Sequence, residues 1–416
     1  MRGYRADTAF DGERRLAGGV LVLVEDSSIV GIEPGSAVAP AGCEVTHFPG
    51  TTLLPGLIDT HVHLCGDSSP RALDRLPGLS PSELEDAIEA AKRRTLAVGV
   101  TSVRDLGDQE WAVVDRHRGA GDGPTVVASG PPITSLRGHC WSMGGEAAGT
   151  AALRQAVRDR SDRGADIVKI MASGGVLTPG TDVLACQFSM EELRAVVEEA
   201  HDVGLGVTAH AHGLPAVEQC VAAEVDGIEH CSCLVTGGFR TPPELAAALA
   251  AAGTAVCPTL GVASGVEPPP QLKALMEATG ATVEGRRAHF GKLYRAGVTL
   301  ISGGGFGYQP RQAARDPAER RRRPHRLWRP DRRCADLGNQ SRRLGVRTRG
   351  ADRAAARRSR RGPADRGRRS TARHRGADPG PKSRLPRSRR RHCLTLRLAG
   401  HRPARAECVD ADLLGQ

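Results

Sequence analysis

The sequence predicts an α/β protein whose main part is a (β/α)8 barrel, and three observations lead to this fold. Eight short apolar runs of strand character recur between residues 57 and 302. Segments of helical periodicity separate several of these runs. Histidine and lysine residues lie in or at the ends of four runs, and barrel folds carry their functional groups at the carboxyl ends of the strands. Eight alternations favour a closed barrel over an open sheet.

A small β-domain is predicted at the amino terminus, over residues 1–52. Two apolar runs, residues 20–24 and 29–32, flank the polar residues 25–28, a pattern typical of strand, turn and strand. The barrel is expected to follow over residues 53–305. Its predicted strands are residues 57–64, 100–105, 125–129, 166–171, 206–210, 226–230, 255–258 and 298–302.

Capping boxes mark two helix starts within the barrel. Ser80 is followed three positions later by Glu83, and Ser189 stands in the same relation to Glu192. In such a box the serine hydroxyl and the glutamate carboxylate each accept a hydrogen bond from a backbone N–H of the first turn. Pro81 strengthens the first signal, because a proline at the first helical position lacks an N–H that would have no partner there.

The last quarter of the chain, residues 306–416, differs in composition from the rest. Residues 311–416 hold 33 basic and 10 acidic side chains, whereas residues 1–310 hold 25 basic and 37 acidic ones. Arginine runs, frequent proline and glycine and slight apolar periodicity predict a disordered or non-native tail. A nucleic-acid-binding arm is the alternative. We do not expect nucleic-acid binding, because Trp328 is the one aromatic residue beyond residue 310 that could stack on bases.

Cysteine usage and the amino terminus indicate a cellular location. Eleven cysteines show no framework spacing, and the first ten residues lack a continuous apolar segment. We therefore expect a cytoplasmic protein with reduced thiols and no signal peptide. No uncharged apolar run reaches the roughly 18 residues that a membrane span needs, so no membrane partner is expected. Homo-oligomerisation is left open.

Five residues are candidate metal ligands. His61 and His63 stand two positions apart in the first run, so their imidazoles share one face of a strand and can bind one metal ion, unless the pair arose by chance. Lys169 lies inside the fourth run, and His210 and His230 end the fifth and sixth. An unpaired ammonium is costly to bury. Lys169 therefore either reaches solvent at the barrel end or carries a carbamate, whose oxygens can bind metal where an ammonium cannot.

Several short segments in combination resemble the amidohydrolase superfamily, in its imidazolonepropionase-like and Xaa-Pro-dipeptidase-like branch. The resemblance extends from about residue 18 to residue 303. It depends on the motifs Pro55-Gly-Leu-Ile-Asp-Thr-His-Val-His63, Gly99-Val-Thr-Ser-Val-Arg-Asp105, Val168-Lys-Ile-Met-Ala-Ser-Gly-Gly175, Ala209-His-Ala-His-Gly213 and Ile228-Glu-His230.

The resemblance implies a distorted barrel, a small β-sandwich made from both chain ends and a centre of two divalent metal ions of the zinc type. His61 and His63 would bind the more buried metal, Lys169 as carbamate would bridge both, and His210 and His230 would bind the second. A hydroxide between the metals would attack an amide carbonyl. The implied activity is hydrolysis of a C–N bond in a small-molecule substrate, a dipeptide or an N-acyl amino acid. Hydrolysis of a cyclic amide or an imidazolone is the alternative.

Further polar residues near the ligands have alternative roles. His212 could replace His210 as ligand or contact a substrate carboxylate, and His139 is a candidate substrate contact, but both could be ordinary loop or core histidines. Three acidic residues flank the ligands and either orient imidazoles or form salt bridges at the barrel end: Asp59, Asp105 and Glu229.

The family pattern breaks at the eighth strand. There the family carries an aspartate that binds metal and accepts the proton of the bridging water, but residues 301–310 contain no acidic residue. The general base is therefore absent. The expected last helix and the returning sandwich strands are not recognisable after it, which would expose a sheet edge and an apolar patch, so the chain is expected to be poorly soluble and of little activity. A catalytically dead barrel remnant is a second alternative.

We hypothesise a reading-frame shift at the glycine triplet 303–305, because 53 Arg against 5 Lys indicates a GC-rich gene whose other frames are rich in Arg, Ala, Gly and Pro. Translation of the DNA in those frames past codon 303 tests this: one frame should encode the aspartate and then a normal helix and strands.

Overall fold

The computed structural model describes residues 1–66, 72–260 and 270–304 of the chain. Within these ranges an amino-terminal sheet is followed by a ring of parallel strands with helices packed around it. The predicted tail over residues 306–416 and the last residue of the predicted barrel, Gly305, lie outside the described residues.

The amino-terminal sheet has five strands. They are β1 (Arg2–Phe10), β2 (Arg15–Leu16), β3 (Val20–Glu25), β4 (Ser28–Pro34) and β5 (Glu44–Leu53). The expected strand, turn and strand are β3 and β4, which pair antiparallel, and Asp26 in the turn between them has a φ of 50°. Strand β5 pairs parallel with β1. Residues 2–53 thus form one sheet, and the second layer of the expected sandwich remains a prediction.

The barrel strands pair in chain order and run parallel. They are β6 (Leu57–Val62), β7 (Val100–Asp105), β8 (Thr125–Ala128), β9 (Ile167–Met171), β10 (Gly206–Gly213), β11 (Gly227–Val235) and, after the two-residue β12 (Gly238–Phe239), β13 (Ala255–Cys257). Between β8 and β9 the ring is continued by Ile133, whose N–H donates to the carbonyl of Lys169 over 2.8 Å.

The seam of the ring lies between β13 and β6 and is filled by residues 299–302. Ile301 N–H donates to Val256 O over 2.8 Å on one side, and Thr60 N–H donates to Ser302 O over 2.9 Å on the other. The last predicted strand therefore occupies the eighth position. The predicted (β/α)8 barrel is confirmed. The first seven predicted strands each overlap an observed strand, and the eighth is represented by a single parallel bridge between Leu300 and Val256.

Nine α-helices lie in the described ranges: α1 (Ala72–Arg75), α2 (Pro81–Ala97), α3 (Ala112–Arg116), α4 (Thr150–Asp162), α5 (Met190–Asp202), α6 (Leu214–Ala222), α7 (Pro243–Ala252), α8 (Pro270–Thr279) and α9 (Val283–Arg295). Both predicted capping boxes are present, with Ser80 and Glu83 at the start of α2 and Ser189 and Glu192 at the start of α5. Among the described residues no helix is long and apolar enough to span a membrane, and all eight cysteines there are free thiols.

Candidate metal centre

The alternation of side chains along two neighbouring strands directs the candidate ligands into the barrel. Val168 and Ile170 of β9 belong to the large apolar cluster shared with the outer helices. Successive side chains of a strand point to opposite faces, so Lys169 between them faces the barrel interior. The same argument applies to β10, where Ala209 and Ala211 pack in that cluster and His210 lies between them.

Strand β11 departs from this alternation at the site. The side chain of Glu229 faces inward, as the alternation predicts, and is fully buried beside His61. The next residue, His230, should face the other way, but its φ of 66° is left-handed and its ring centre lies 5.2 Å from that of His61. A left-handed φ is uncommon for a residue other than glycine. This backbone turn lets two consecutive side chains enter the same site.

The four candidate histidine ligands lie in a continuous series of ring contacts. Ring centres are 5.3 Å apart for His61 and His63, 5.2 Å for His61 and His230, and 4.6 Å for His210 and His230. Lys169 faces the same interior from β9, and its charge acts on all four imidazoles, so it lies near them. The structure therefore brings the five predicted ligands together at the carboxyl ends of β6, β9, β10 and β11. Their role as metal ligands remains a prediction.

Hydrogen bonds fix which nitrogen of three rings stays available as a donor to a metal ion. His61 Nδ1 lies 2.7 Å from a carboxylate oxygen of Glu229, and His63 Nδ1 lies 3.0 Å from the carbonyl oxygen of Gly107. These oxygens can only accept, so both Nδ1 atoms donate and each Nε2 keeps its lone pair. His210 is the reverse case, because its Nε2 donates to Gly174 O over 3.1 Å and its Nδ1 keeps the lone pair.

Burial keeps these imidazoles neutral. It is the largest cause that lowers the pKa of His61, and it holds the pKa values of His63, His210 and His230 well below the ordinary histidine value, with the Lys169 charge acting in the same direction. A neutral imidazole offers a nitrogen lone pair, whereas an imidazolium offers none. The four rings are thus in the protonation state that metal ligation requires.

Lys169 is 1% exposed, and its side-chain amine forms no hydrogen bond or ion pair with any other described residue. Burial lowers the pKa of its amine from 10.5 to about 8. The alternative that this side chain reaches solvent at the barrel end does not agree with its burial. A buried lysine without a carboxylate in direct contact is expensive to keep charged, and the lowered pKa increases the share of neutral, nucleophilic amine near neutral pH.

Of the three acidic residues that flank the ligands, one contacts an imidazole. Glu229 accepts from His61, from Arg104 Nη2 over 2.8 Å and from Thr208 Oγ1 over 2.7 Å. Burial opposes ionisation of this carboxyl, but the Arg104 guanidinium and the hydrogen bond from His61 keep its pKa well below the usual range. Glu229 is therefore both an orienting partner of His61 and one half of a salt bridge.

The other two acidic residues hold the backbone. Asp59 accepts from the N–H groups of His61 and Gly304, each over 3.0 Å. Asp105 accepts from Leu64 N over 2.7 Å and from Gly107 N over 3.3 Å. Both carboxylates thus fix the chain around His61 and His63 rather than the imidazole rings themselves.

The two remaining predicted site residues line the same space. His212 stacks on His230 with ring centres 4.4 Å apart, and the ligand nitrogens of His210, His212 and His230 lie within 4.8 Å of one another. His139 lies 4.6 Å from His210 between ring centres and contacts Thr178 Oγ1 over 2.9 Å. The preference for His210 over His212 as ligand, and the substrate-contact role of His139, remain predictions.

Three further residues at the site were not singled out from the sequence. Arg104 pairs with Glu229, and Cys257 at the end of β13 lies within 4.8 Å of ligand atoms of His61 and Glu229. Arg286 on α9 lowers the pKa of His212 through its charge, second only to burial. Arg104 and Cys257 stood within predicted strands, so strand position could have indicated them. Nothing in the sequence separates Arg286 from its neighbour Arg287.

The end of the eighth strand has no acidic residue in its described part. Ser302 is followed by Gly303 and Gly304, and Gly304 N–H donates to Asp59. A Cβ added at Gly303 would come within 2.8 Å of His61 Cβ and 2.5 Å of the Cys257 sulfur. The position is therefore closed to any side chain without rearrangement of the neighbouring strands.

The donor set fits divalent metal ions. Neutral imidazoles with one unused nitrogen each suit zinc and its neighbours in the first transition series, and a lysine carbamate would add oxygen donors. The fold and site together define a (β/α)8 barrel with a histidine-rich centre at the carboxyl ends of its strands, the arrangement found in barrel enzymes.

Residues 52–255 match the sequence profile of the amidohydrolase family. The resemblance to the amidohydrolase family that the motifs indicated is thus confirmed over this segment. It is 32% identical over 208 residues to an ochratoxinase of Aspergillus niger, a match that covers 43% of each chain. It is 26% identical over 240 residues to an imidazolonepropionase of Salinispora tropica, covering 51% of this chain and 57% of that protein. The chain thus spans about half the length of these relatives.

Among solved structures, a prolidase complexed with N-methylphosphonate-L-proline is similar with a TM-score of 0.62 and 25% sequence identity. The similarity covers 73% of this chain and 78% of the prolidase. An ochratoxinase structure from A. niger has a TM-score of 0.60 over 74% of this chain and 77% of the other, at 24% identity, which supports the fold.

Proposed function

We propose that this chain is a metal-dependent hydrolase of C–N bonds whose substrate class is dipeptides or N-acyl amino acids. One observation carries the proposal: four neutral imidazoles lie near a buried lysine whose amine forms no ion pair with any other described residue. The amidohydrolase match and the similarity to proteins named ochratoxinase, imidazolonepropionase and prolidase support the reaction class.

The residues that would hold two divalent ions are His61 and His63 for one, His210 and His230 for the other, and Lys169 between them. Lys169 would act as a carbamate, formed when its neutral amine adds to carbon dioxide and releases a proton. Divalent ions at such a centre polarise an amide carbonyl and bring the pKa of water toward neutrality. Zinc is our expectation, since it favours nitrogen and oxygen donors of this kind.

The protein's own groups would act by orientation and by exclusion of water. Glu229 holds the His61 ring through Nδ1, and Arg104 holds Glu229 in turn. His139 and His212, whose pKa values burial lowers to about 3, are neutral at physiological pH and offer hydrogen bonds to a polar substrate. No described residue occupies the role of the strand-8 aspartate, so we expect slow turnover from the chain as it stands.

The decisive experiment measures metal content and turnover on the same preparation. The full chain is loaded with zinc in bicarbonate buffer, analysed by mass spectrometry for metals, and incubated with dipeptides, N-acyl amino acids, cyclic amides and imidazolones. Two zinc ions per chain with release of an amino acid from the first two groups supports the proposal. Turnover confined to cyclic amides or imidazolones supports the alternative substrate class. Metal without any turnover indicates the catalytically dead remnant, and absence of metal overturns the proposal.

We further propose the frame shift at codons 303–305 as the cause of the missing aspartate. Sequencing of the gene across these codons tests it directly. Repair of the frame should restore an acidic residue close after Ser302 and raise turnover, whereas an intact frame at this point would show that the tail is genuine.

A further inference from the structure

Arg286 stands out among the charged residues near the centre because it forms no ion pair with any other described residue. Its side chain reaches from α9 toward the carboxyl end of β13, where Nη2 donates to Pro258 O over 2.7 Å and to Thr259 Oγ1 over 3.1 Å. Nε is shielded from solvent and has no hydrogen-bond partner among the described residues. No carboxylate in the described part of the chain forms an ion pair with this guanidinium.

Arg104 shows what a structural arginine looks like in the same barrel. Its guanidinium lies 2.8 Å from the carboxylate of Glu229 and also donates to Thr60 O over 2.7 Å. The charge of Arg104 is thus compensated within the fold. Removing a guanidinium from water without such a partner is costly, and the cost is offset when an anion binds.

Arg286 lies close enough to the centre to contact a substrate there. Thr259 Oγ1 accepts from Arg286 and lies 2.8 Å from His230 Nδ1, so one hydroxyl separates the guanidinium from a proposed metal ligand. The side chain is half-buried, so part of it remains open to a ligand. Guanidinium groups bind carboxylates through two parallel N–H donors, which gives both strength and orientation.

We propose that Arg286 binds the carboxylate of the substrate, on the amino-acid side of the scissile amide bond. This inference rests on the proposed function and deepens it, because it makes an acidic group next to the amide a requirement for tight binding. A neutral amide of the same shape would leave the guanidinium uncompensated and should bind about tenfold or more weaker, the scale of a charge-assisted hydrogen bond.

The alternative is a purely structural role, in which Arg286 acts as a clamp that fixes the backbone after β13. Its Nη2 already donates to two carbonyl oxygens, those of Pro258 and Thr259. A clamp would affect every ligand equally. Carboxylate recognition instead changes the ratio between an acidic and a neutral ligand, so the ratio is the quantity to measure.

The test uses N-methanesulfonyl-L-phenylalanine and its primary carboxamide, in which a sulfonamide replaces the scissile amide so that the ligand is not consumed. Binding of both to the full chain in zinc-containing buffer is measured by isothermal titration calorimetry. We expect the acid to bind about tenfold or more tightly than the carboxamide. Arg286→Gln should remove this preference and leave the carboxamide affinity unchanged. Arg287→Gln, at the exposed neighbouring position, is the matched control and should keep the preference.

Equal binding of the two ligands by the unaltered chain, a preference retained in Arg286→Gln, or equal weakening of both ligands in that variant would each overturn the inference. If circular dichroism shows that Arg286→Gln does not fold, Arg286→Lys replaces it. That variant keeps the charge but loses the two-pronged donor, and the preference should fall severalfold; an unchanged preference overturns the inference. The readout needs no turnover, so a chain that hydrolyses nothing still decides this question separately from the proposed activity.

Discussion

Lys92 and Lys169 are both buried, at 7% and 1% exposed, yet the two regions that contain them are opposites. On the outer helix α2, Lys92 Nζ lies 2.5 Å from Glu89 and 3.3 Å from His117 Nδ1. In the barrel interior, Lys169 has four imidazoles around it and no carboxylate bound to its amine. One ammonium is in direct contact with a carboxylate and the other is not.

The comparison shows that nearby donor atoms alone do not define a metal site. Possible ligand atoms lie within 4.8 Å of one another in two clusters: Glu85, Glu89 and His117 on the outside, and His210, His212 and His230 in the barrel. In the outer cluster the ammonium of Lys92 already supplies the positive charge that a metal cation would otherwise supply. In the barrel the neutral rings hold unused lone pairs, and a carbamate would turn the one cation into an anion. Charge balance separates the two clusters.

The comparison breaks if the two lysines behave alike on substitution, and metal content shows the largest effect. The Lys169→Met variant should lose at least one of two bound zinc ions. Its zinc affinity should fall by more than the factor of about 10 to 100 that the loss of an orienting residue causes. Any turnover should fall about a thousandfold, since metal ions supply several kcal/mol and about 1.4 kcal/mol corresponds to a factor of ten. Lys92→Met is the control and should keep both ions. Mass spectrometry of the loaded proteins measures this, and equal zinc content in both variants would contradict it.

The pH dependence of stability sharpens the same contrast. The folded chain releases the Lys169 proton near pH 8, whereas an unfolded lysine keeps its proton up to about 10.5, so the unfolded state binds more protons in between. The free energy of unfolding of the metal-free, carbon-dioxide-depleted chain should therefore rise from about pH 8 to about pH 10.5. The rise should amount to about 3 kcal/mol.

Urea unfolding at several pH values, compared between the unaltered chain and Lys169→Met, isolates this contribution, since the other titrating groups are common to both. Lys169→Met should lack the additional rise. Parallel curves for the two proteins would show that Lys169 is not a destabilised ammonium in the folded state.

Glu229→Gln tests the support behind His61. The amide can still approach Nδ1, but it leaves Arg104 without its anionic partner and no longer stabilises the Nδ1 proton of the ring. Zinc affinity at this ligand should fall about 10- to 100-fold. Competition with a coloured chelator measures the affinity. Glu198→Gln, an exposed carboxylate on α5 with 60% side-chain exposure, should leave it unchanged; an equal effect of both changes would remove Glu229 from its orienting role.

The smallest effect is expected in the outer region. Lys92→Met removes the partner of Glu89, whose side chain is 34% exposed, so solvent screens much of the loss. The free energy of unfolding should fall by about 1 kcal/mol or less, and zinc binding should be unaffected. Thermal unfolding at neutral pH measures the difference. A loss of several kcal/mol would mean that Lys92 compensates a buried carboxylate network rather than a screened surface pair.

Strand order, helix starts and the convergence of His61, His63, Lys169, His210 and His230 could be predicted because each depends on local spacing. Alternation along a strand places Lys169 and His210 inside, and the serine–glutamate spacing defines two helix starts. The left-handed backbone at His230 could not be predicted, because a histidine that follows a glutamate does not by itself indicate a positive φ. Arg286 could not be predicted either, because its position at the site depends on how α9 packs against β13.

The substrate class, the metal identity and the cause of the missing aspartate depend on groups that strand spacing does not report. Loops between strands determine which substrate binds. The structural role of Arg104 depends on its ion pair with Glu229, which the sequence does not show. The position of Glu229 beside a ligand indicates either an orienting group or a salt-bridge partner, and its contacts give it both roles.

The seam between residues 299–302 and β6 has a practical consequence for the gene. Thr60 and Ile58 form hydrogen bonds with Ser302, and Asp59 accepts a hydrogen bond from Gly304 N–H. The residues that close the ring are therefore encoded before the change in composition. Changes to later codons, either insertion of a base or replacement by a relative's carboxyl-terminal segment, would leave these hydrogen bonds unchanged. The described barrel is thus a ready recipient for such chimeras, with Gly304 as the splice point.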